Sequence, residues 1–287
     1  MNSGLWTLFL GVAFKASPGD AFLSRLQTGD SGVRKSRGPR TSLWGGWQEP
    51  TFHEASLLSN DDIADGVRRV LVEVPETVAA GYLKPGQFVQ LVDADKSSKP
   101  NFFAIASPPP SPGAATQLEF LIKNAESNAW LTGLSSGSLQ VSDVMGNGFP
   151  LDRLDDSVSE LFLCASGTGI APIRSAVLSG KLGQNRRCTF FYGFRKEENC
   201  VQQWVQEIEA GLGLGNVESV LVASQPSEAW NGAKGYVQDS LSSRLSDQTD
   251  PLPPAAALVI GQKTMWESIS STLQSKGVPA ERIMTNF

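Results

Sequence analysis

The chain has 287 residues, 40% of them hydrophobic, and a formal net charge of −5, a length that suggests about two domains with ample core. The acidic balance, with no basic stripe beyond the N-terminal segment, argues against a nucleic-acid binder. Three scattered cysteines without a Cys-x-x-Cys pair exclude a disulfide framework and an iron–sulfur cluster held by this chain alone, and the single histidine, His53, leaves metal catalysis without a ligand set.

Residues 1–48 do not read as fold. Residues 5–14 are an apolar run too short to span a bilayer but of the length of a signal h-region. After it come Ala21-Phe22 and a stretch with Arg25, Arg34, Lys35, Arg37 and Arg40 against only Asp30. This order resembles the two-part presequences of secondary plastids and predicts import into a chloroplast, with a secretory signal as the competing reading. Free cysteines suit a reducing compartment.

From residue 51 short alternating runs begin: 51–58, 67–74, 87–91, 101–105, 117–122 and 138–143, separated by Gly, Pro, Asn and Asp clusters. Six such strands predict a small antiparallel Greek-key β-barrel over 49–152, with a helical segment at 129–134. Residues 107–113, rich in proline, read as a rigid connector. Thereafter the pattern changes. Strand-like runs at 161–165, 188–193, 217–223 and 255–260 alternate with helix-like ones at 170–178, 197–210, 237–245 and 264–277, and 282–286 closes with a last strand. That alternation predicts an α/β domain with a parallel sheet over 153–287, its ligand at the carboxyl ends of the strands.

One stretch carries the most chemistry. After the buried run Leu161-Phe162-Leu163-Cys164-Ala165 comes Ser166-Gly167-Thr168-Gly169, and then a helix with Pro172 in its first turn. Gly167 and Gly169 permit a tight turn that a ligand can approach closely, and Pro172 gives up an N–H that the first helical turn leaves free. Such a corner aims backbone N–H groups and a positive helix end at one point, which suits a pyrophosphate. A strand–glycine–helix corner that holds nothing is the competing reading, since the third fingerprint glycine is missing. The placement of Gly167, Gly169, Gly193, Ser224 and Gly261 at predicted strand ends favours the ligand site.

Taken together, Lys84-Pro85-Gly86-Gln87-Phe88-Val89, Asn101-Phe102-Phe103-Ala104-Ile105-Ala106-Ser107, Met145-Gly146-Asn147-Gly148-Phe149, Ser166-Gly167-Thr168-Gly169-Ile170-Ala171-Pro172, Phe191-Tyr192-Gly193, Lys234-Gly235-Tyr236-Val237-Gln238 and Gly261-Gln262-Lys263-Thr264-Met265 stand in an order that resembles the ferredoxin–NADP reductase-like flavoproteins. The likeness runs from about residue 51 to the end and is nearest to a plastid branch known from plant fruit proteins. It implies FAD in the barrel domain, NADP or NAD in the α/β domain, and hydride transfer from NAD(P)H through the flavin to an acceptor. It further implies cofactor contacts at Asn101, Phe103, Ala104, Ile105, Ser107 and Ile122 on the flavin side. On the nucleotide side it implies Gly167, Thr168, Gly169, Pro172, Ser224, Lys234, Tyr236, Gln238, Gly261 and Met265, with Phe287 as a shield on the flavin ring.

Departures from the pattern are chemically specific. Asn101, Phe103 and Ala104 stand where the family has Arg, Tyr and Ser, and Ile260 where it has a cysteine. Phe103 keeps a flat apolar face. Asn101 donates hydrogen bonds without charge, a loss on the order of 1.5–3 kcal/mol of anion binding. Lys123, Ser127 and Asn128 are candidate replacements for the lost phosphate contacts, against an exposed turn as the plain alternative. Ser224, Lys234 and Tyr236 suit the 2′-phosphate of NADP, although Gln225 occupies the place of an Arg in plant reductases. The departures keep two other readings open: a catalytically degenerate nucleotide-binding or regulatory module, and an electron-transfer subunit of a larger complex. The acceptor is not named by any motif; ferredoxin or another small redox protein, a quinone, a disulfide protein and a small molecule all fit.

Overall fold

The computed structural model describes residues 50–111, 113–114, 116–183, 186–246 and 251–286. The expected presequence and Phe287 lie outside them. From residue 51 onward the chain forms one compact unit, made of two six-stranded sheets of opposite character.

Strands β1 (Phe52–Ala64), β2 (Val67–Glu73), β3 (Phe88–Asp93), β4 (Asn101–Ala104), β5 (Gln117–Lys123) and β6 (Ser138–Ser142) make the first sheet, in the order β4-β3-β6-β1-β2-β5. All its ladders are antiparallel. A bridge between Ile105 and Phe120 joins the two edges, so the sheet closes as the expected Greek-key barrel. Alternation fills it: Val70, Val72, Val89, Leu91, Leu118, Phe120 and Val141 are all sealed from solvent. Two short helices lie in its connections, α1 (Glu76–Gly81), which the sequence pattern did not predict, and α2 (Ala129–Thr132).

The second sheet is parallel throughout, with β7 (Glu160–Ser166), β8 (Arg187–Phe194), β9 (Val217–Ala223), β10 (Ala233–Lys234), β11 (Ala255–Ile260) and β12 (Ile283–Met284) in the order β10-β9-β8-β7-β11-β12. Helices α3 (Ile170–Leu178), α4 (Gln202–Leu212), α5 (Val237–Ser246) and α6 (Lys263–Ser275) form the crossovers. β7 and β11 are buried along their whole runs, as a sheet covered on both faces requires, apart from the half-buried Ser166 at the end of β7. The strand order reverses between β7 and β11, so the crevice above β7 is the switch point of the sheet.

One helix starts later than its periodicity suggests. The predicted helix over 197–210 is a single 3₁₀ turn, Glu197–Asn199, followed by α4 from Gln202. Asn199 is the reason. Its Oδ1 accepts from the Lys196 N–H at 3.0 Å, a local bond that competes with helix, and its Nδ2 ties the turn to the Asp65 carbonyl at 3.0 Å on the barrel side.

Candidate cofactor site

At the carboxyl end of β7 the chain makes a 3₁₀ turn, Gly167–Gly169, and enters α3. Gly167 has φ +54°, the left-handed region that favours glycine, and a Cβ built there would meet nothing within 4 Å. The turn is therefore open on the outside. It is tight on the inside: a Cβ on Gly169 would stand 2.7 Å from the Ile260 carbonyl oxygen and 2.9 Å from Ile260 Cγ2. The missing side chain lets α3 sit directly on the end of β11. No side chain caps the turn or the amino end of α3 among the described residues. The Ile170 N–H already donates to the Gly167 carbonyl and Pro172 has none, so the N–H groups of the turn itself are the donors that remain for an incoming acceptor. An uncapped cradle with a clear approach fits a dinucleotide pyrophosphate.

The other residues expected on the nucleotide side fall along the same edge. Thr168 is half-buried and Pro172 buried in the first turn of α3. Gly261 follows β11, its missing side chain leaving room for Met265 Sδ and Ser166 Oγ. Ser224 follows β9, its N–H donating to the Phe194 carbonyl at 3.0 Å. Lys234 is exposed on β10, Tyr236 is 56% exposed, and Gln238 is half-buried in the first turn of α5. Lys234 also borders a shallow hollow of about 630 Å³ that includes Asp239, Ser240 and Arg244.

On the barrel side the expected flavin segment begins β4. Asn101 is half-buried, with its amide nitrogen set to donate to the carbonyls of Ser127 at 3.0 Å and Lys99 at 3.3 Å. Nearby, Asn128 Nδ2 donates to the Lys123 carbonyl at 2.9 Å. Asn101, Lys123, Ser127 and Asn128 thus gather at one rim of the barrel, with Lys123 and Ser127 exposed. The Asn101 and Asn128 amides are spent on carbonyls, so the donors this rim offers a diphosphate are the exposed Lys123 ammonium and Ser127 hydroxyl. Phe103 is 9% exposed and meets Phe120 edge to face at 6.4 Å, so most of its ring belongs to the barrel core. Its neighbour Phe102 is the half-exposed ring, set against Phe88 at 5.8 Å. Ala104 is half-buried, while Ile105 and Ile122 are sealed in the core.

Three segments far apart in sequence converge beside β4. Gln87 Oε1 accepts from the N–H groups of Leu83 and Lys84, and its Nε2 donates to the Gly146 carbonyl at 3.0 Å. The Phe149 N–H donates to the Pro85 carbonyl at 2.8 Å, and Asn286 Nδ2 to the Gly86 carbonyl at 2.9 Å. The chain's last described residue is therefore anchored on the barrel.

A polar junction that sequence reasoning missed lies between the two sheets. Arg174, only 6% exposed on α3, donates through Nη1 to Glu119 Oε2 at 2.8 Å and to the Ala106 carbonyl at 3.1 Å. Its Nε donates to Glu207 Oε2 on α4 at 2.6 Å, and its guanidinium lies over the Trp204 ring at 4.6 Å. Glu119, 5% exposed on β5, also accepts from Arg69 Nε; that bond raises the Arg69 pKa above its ordinary value. The adjacent Ser175 Oγ is 2.5 Å from Tyr82 Oη, which donates to the Ser107 carbonyl at 2.8 Å. Burial pushes the Tyr82 hydroxyl well above its ordinary range, so it stays protonated. The available signal was a lone charge inside an apolar run: Glu119 in Leu118-Glu119-Phe120-Leu121, Arg174 in Ile170-Ala171-Pro172-Ile173-Arg174.

Residues 163–271 match the family model described as the oxidoreductase NAD-binding domain. The gamma subunit of sulfhydrogenase 1 from Pyrococcus furiosus is 30% identical over 223 residues, 75% of this chain and 71% of that one. The chain belongs to the ferredoxin–NADP reductase-like oxidoreductases. Within that family it is also similar to the fruit protein pKIWI502 of the plant Actinidia deliciosa, 28% identical over 77% of this chain and 72% of the other. Its fold resembles a ferredoxin NADP+ reductase from Neisseria gonorrhoeae with bound FAD and NADP, with a TM-score of 0.65 at 18% identity over 83% of this chain and 99% of that one. It equally resembles the Amycolatopsis cytochrome P450 reductase GcoB, with a TM-score of 0.66 at 19% identity over 86% and 73%. Membership makes NAD(P)H-linked electron transfer the class of chemistry to which this architecture belongs.

Proposed function

We propose that this reductase-like chain takes hydride from NAD(P)H onto a bound FAD and hands electrons to a separate acceptor. The observation that carries the reading is the uncapped, outwardly open turn at Gly167, set at the switch point of the parallel sheet. We divide the chain accordingly into a flavin domain over 49–152 and a nucleotide domain over 153–287.

A bound flavin supplies the hydride-accepting ring and the ability to release electrons singly. The chain's own part is to bind, orient and exclude water. The N–H groups around Gly167–Gly169 would hold the nucleotide pyrophosphate, and Ser224, Lys234, Tyr236 and Gln238 its adenosine side. Gly261 and Met265 would flank the nicotinamide. On the barrel, Lys123 would supply the charge that Asn101 lacks, with the Ser127 hydroxyl as a neutral donor, and the 101–107 segment would face the flavin ring. Phe102, the half-exposed ring, is the aromatic surface that segment offers, Phe103 lying almost wholly in the barrel core. NADP is the preferred nucleotide, and a plastid the preferred compartment, in keeping with the plant relative.

The test is a visible spectrum of the purified protein, repeated after anaerobic addition of NADPH or NADH. A flavin band bleached by either nucleotide is expected. Colourless protein that takes up no FAD would reject the reading in favour of a degenerate nucleotide-binding module. A second reading, an electron-transfer subunit, is favoured by the relative that bears a subunit name; gel filtration of native extract, with the chain eluting in a larger assembly, would establish it.

A further inference from the structure

We propose that Arg174 and Glu119, assisted by Tyr82 and Ser175, are positioning residues that hold the nucleotide turn at a fixed distance from the flavin-facing end of β4. The inference deepens the proposed function and rests on that reading.

The geometry is specific. Arg174 and Ser175 are consecutive on α3, the helix that begins at the Gly167–Gly169 turn. Ala106 and Ser107 are consecutive at the end of the 101–107 segment. Arg174 donates to the Ala106 carbonyl directly, and Ser175 reaches the Ser107 carbonyl through the Tyr82 hydroxyl. Two struts thus run side by side from the helix that carries one cofactor's turn to the strand end that faces the other.

Glu119 fixes the struts from the barrel side. Its Oε2 takes Arg174 Nη1, its Oε1 takes Arg69, and its own N–H donates to Ser107 Oγ at 3.2 Å. Arg174 is held from behind by Glu207 and by the Trp204 ring. A planar guanidinium held at Nε, at Nη1 and across its face has one orientation, and a flexible ammonium would not reproduce it. A buried pair of this kind is weak evidence for stability and better evidence for a fixed register between the parts it joins. Hydride transfer is the step that such a register serves, because the rate falls steeply when the reacting atoms are misplaced.

The experiment compares wild type with Glu119→Gln and Arg174→Lys, full-length chain, loaded with FAD. Anaerobic stopped-flow mixing with NADPH separates the saturating rate of flavin reduction from the apparent Kd for nucleotide. The expected result is a saturating rate lowered about tenfold or more with the Kd within about twofold of wild type, in protein that keeps its flavin. A rate within about twofold of wild type in both variants overturns the proposal. Should both variants fail to fold or lose flavin, Tyr82→Phe removes one strut by a single oxygen atom, and the same split or its absence decides. Should wild type itself prove colourless, the flavin reading fails, and hydrogen exchange of the full chain decides the clamp alone. Faster exchange in Arg174→Lys at both residues 104–107 and 170–178 supports a two-sided brace, and a change confined to one side overturns it.

Discussion

Arg195 and Gln225 meet side chain to side chain above the ends of β8 and β9, Nε donating to Oε1 at 2.8 Å. Their backbones are paired as well, the Gln225 N–H donating to the Arg195 carbonyl at 2.7 Å. Gln225 is neutral, but the neighbour it holds is a guanidinium, so a cation is present at this corner after all. Arg195 is exposed on the same sheet edge as Ser224 and Lys234. If NADP is the nucleotide, Arg195→Ala should raise KM for NADPH about tenfold, the worth of one charge-assisted contact, and leave KM for NADH nearly unchanged. Steady-state kinetics with both nucleotides check it. Equal losses with the two would remove Arg195 from 2′-phosphate binding.

Gly169→Ala tests the seat of the turn on β11. The added methyl meets a backbone oxygen, at 2.7 Å from the Ile260 carbonyl, so no side-chain rotation relieves it. Overpacking of this kind costs about 1–3 kcal/mol, a fall in melting temperature of roughly 2–10 °C for a chain of this size. Differential scanning calorimetry reads it. An unchanged melting temperature would mean that α3 does not rest on β11 as described.

The elements that were legible in the sequence are those whose signal is local. β7 and β11 announce themselves as short apolar runs ending in glycine, and β3 follows directly on the Lys84-Pro85-Gly86 turn. Polar turn residues misled where a partner strand took them up. Asn60, Asp61 and Asp62 read as a loop, yet β1 continues through them to Ala64 because they pair with Val70, Arg69 and Arg68 of β2. β10 is only two residues long and has no period to read. At the candidate turn, glycine at 167 and 169 was legible because the backbone demands it, by a positive φ at one and a backbone oxygen against the other. The Arg174–Glu119 pair was not, because it joins residues 55 positions apart in the chain, and nothing local to either marks the other.

The thiols set an alkaline limit on the fold. Burial pushes the Cys188 thiol up to about 12 and the Cys200 thiol up to about 11, from an ordinary value near 9. Between the ordinary and the raised values the unfolded chain has lost protons that the folded chain keeps. Stability is therefore complete below about pH 9 and falls as pH rises toward 11 and 12. Cys188 alone contributes a slope of up to about 1.4 kcal/mol per pH unit. Urea midpoints at pH 8 and pH 10 should differ in that direction, and Cys188→Ala should flatten the difference. A midpoint that rises with pH would contradict the burial of these groups.

Asn101→Arg asks whether the rim of β4 is a diphosphate site at all. Asn101 has its amide nitrogen directed at the Ser127 and Lys99 carbonyls, so what it donates goes to protein rather than to an incoming anion. An arginine there would add a permanent charge beside Lys123 and Ser127 with a longer reach. If a diphosphate binds at this rim, the charge-assisted bonds are worth about 1.5–3 kcal/mol, which is roughly ten- to hundredfold in affinity. The measurement is titration of the flavin-free chain with FAD by fluorescence, wild type against variant, repeated at high salt, where the gain should shrink because the contact is exposed and screened. Like charges provide the counterweight: Lys123 would then face a second cation, and without a phosphate between them the variant should melt slightly lower than wild type. Tighter FAD binding together with a lower melting temperature of the flavin-free chain is the pattern that a phosphate-shaped gap at this rim produces. Unchanged FAD affinity would move the diphosphate elsewhere on the barrel.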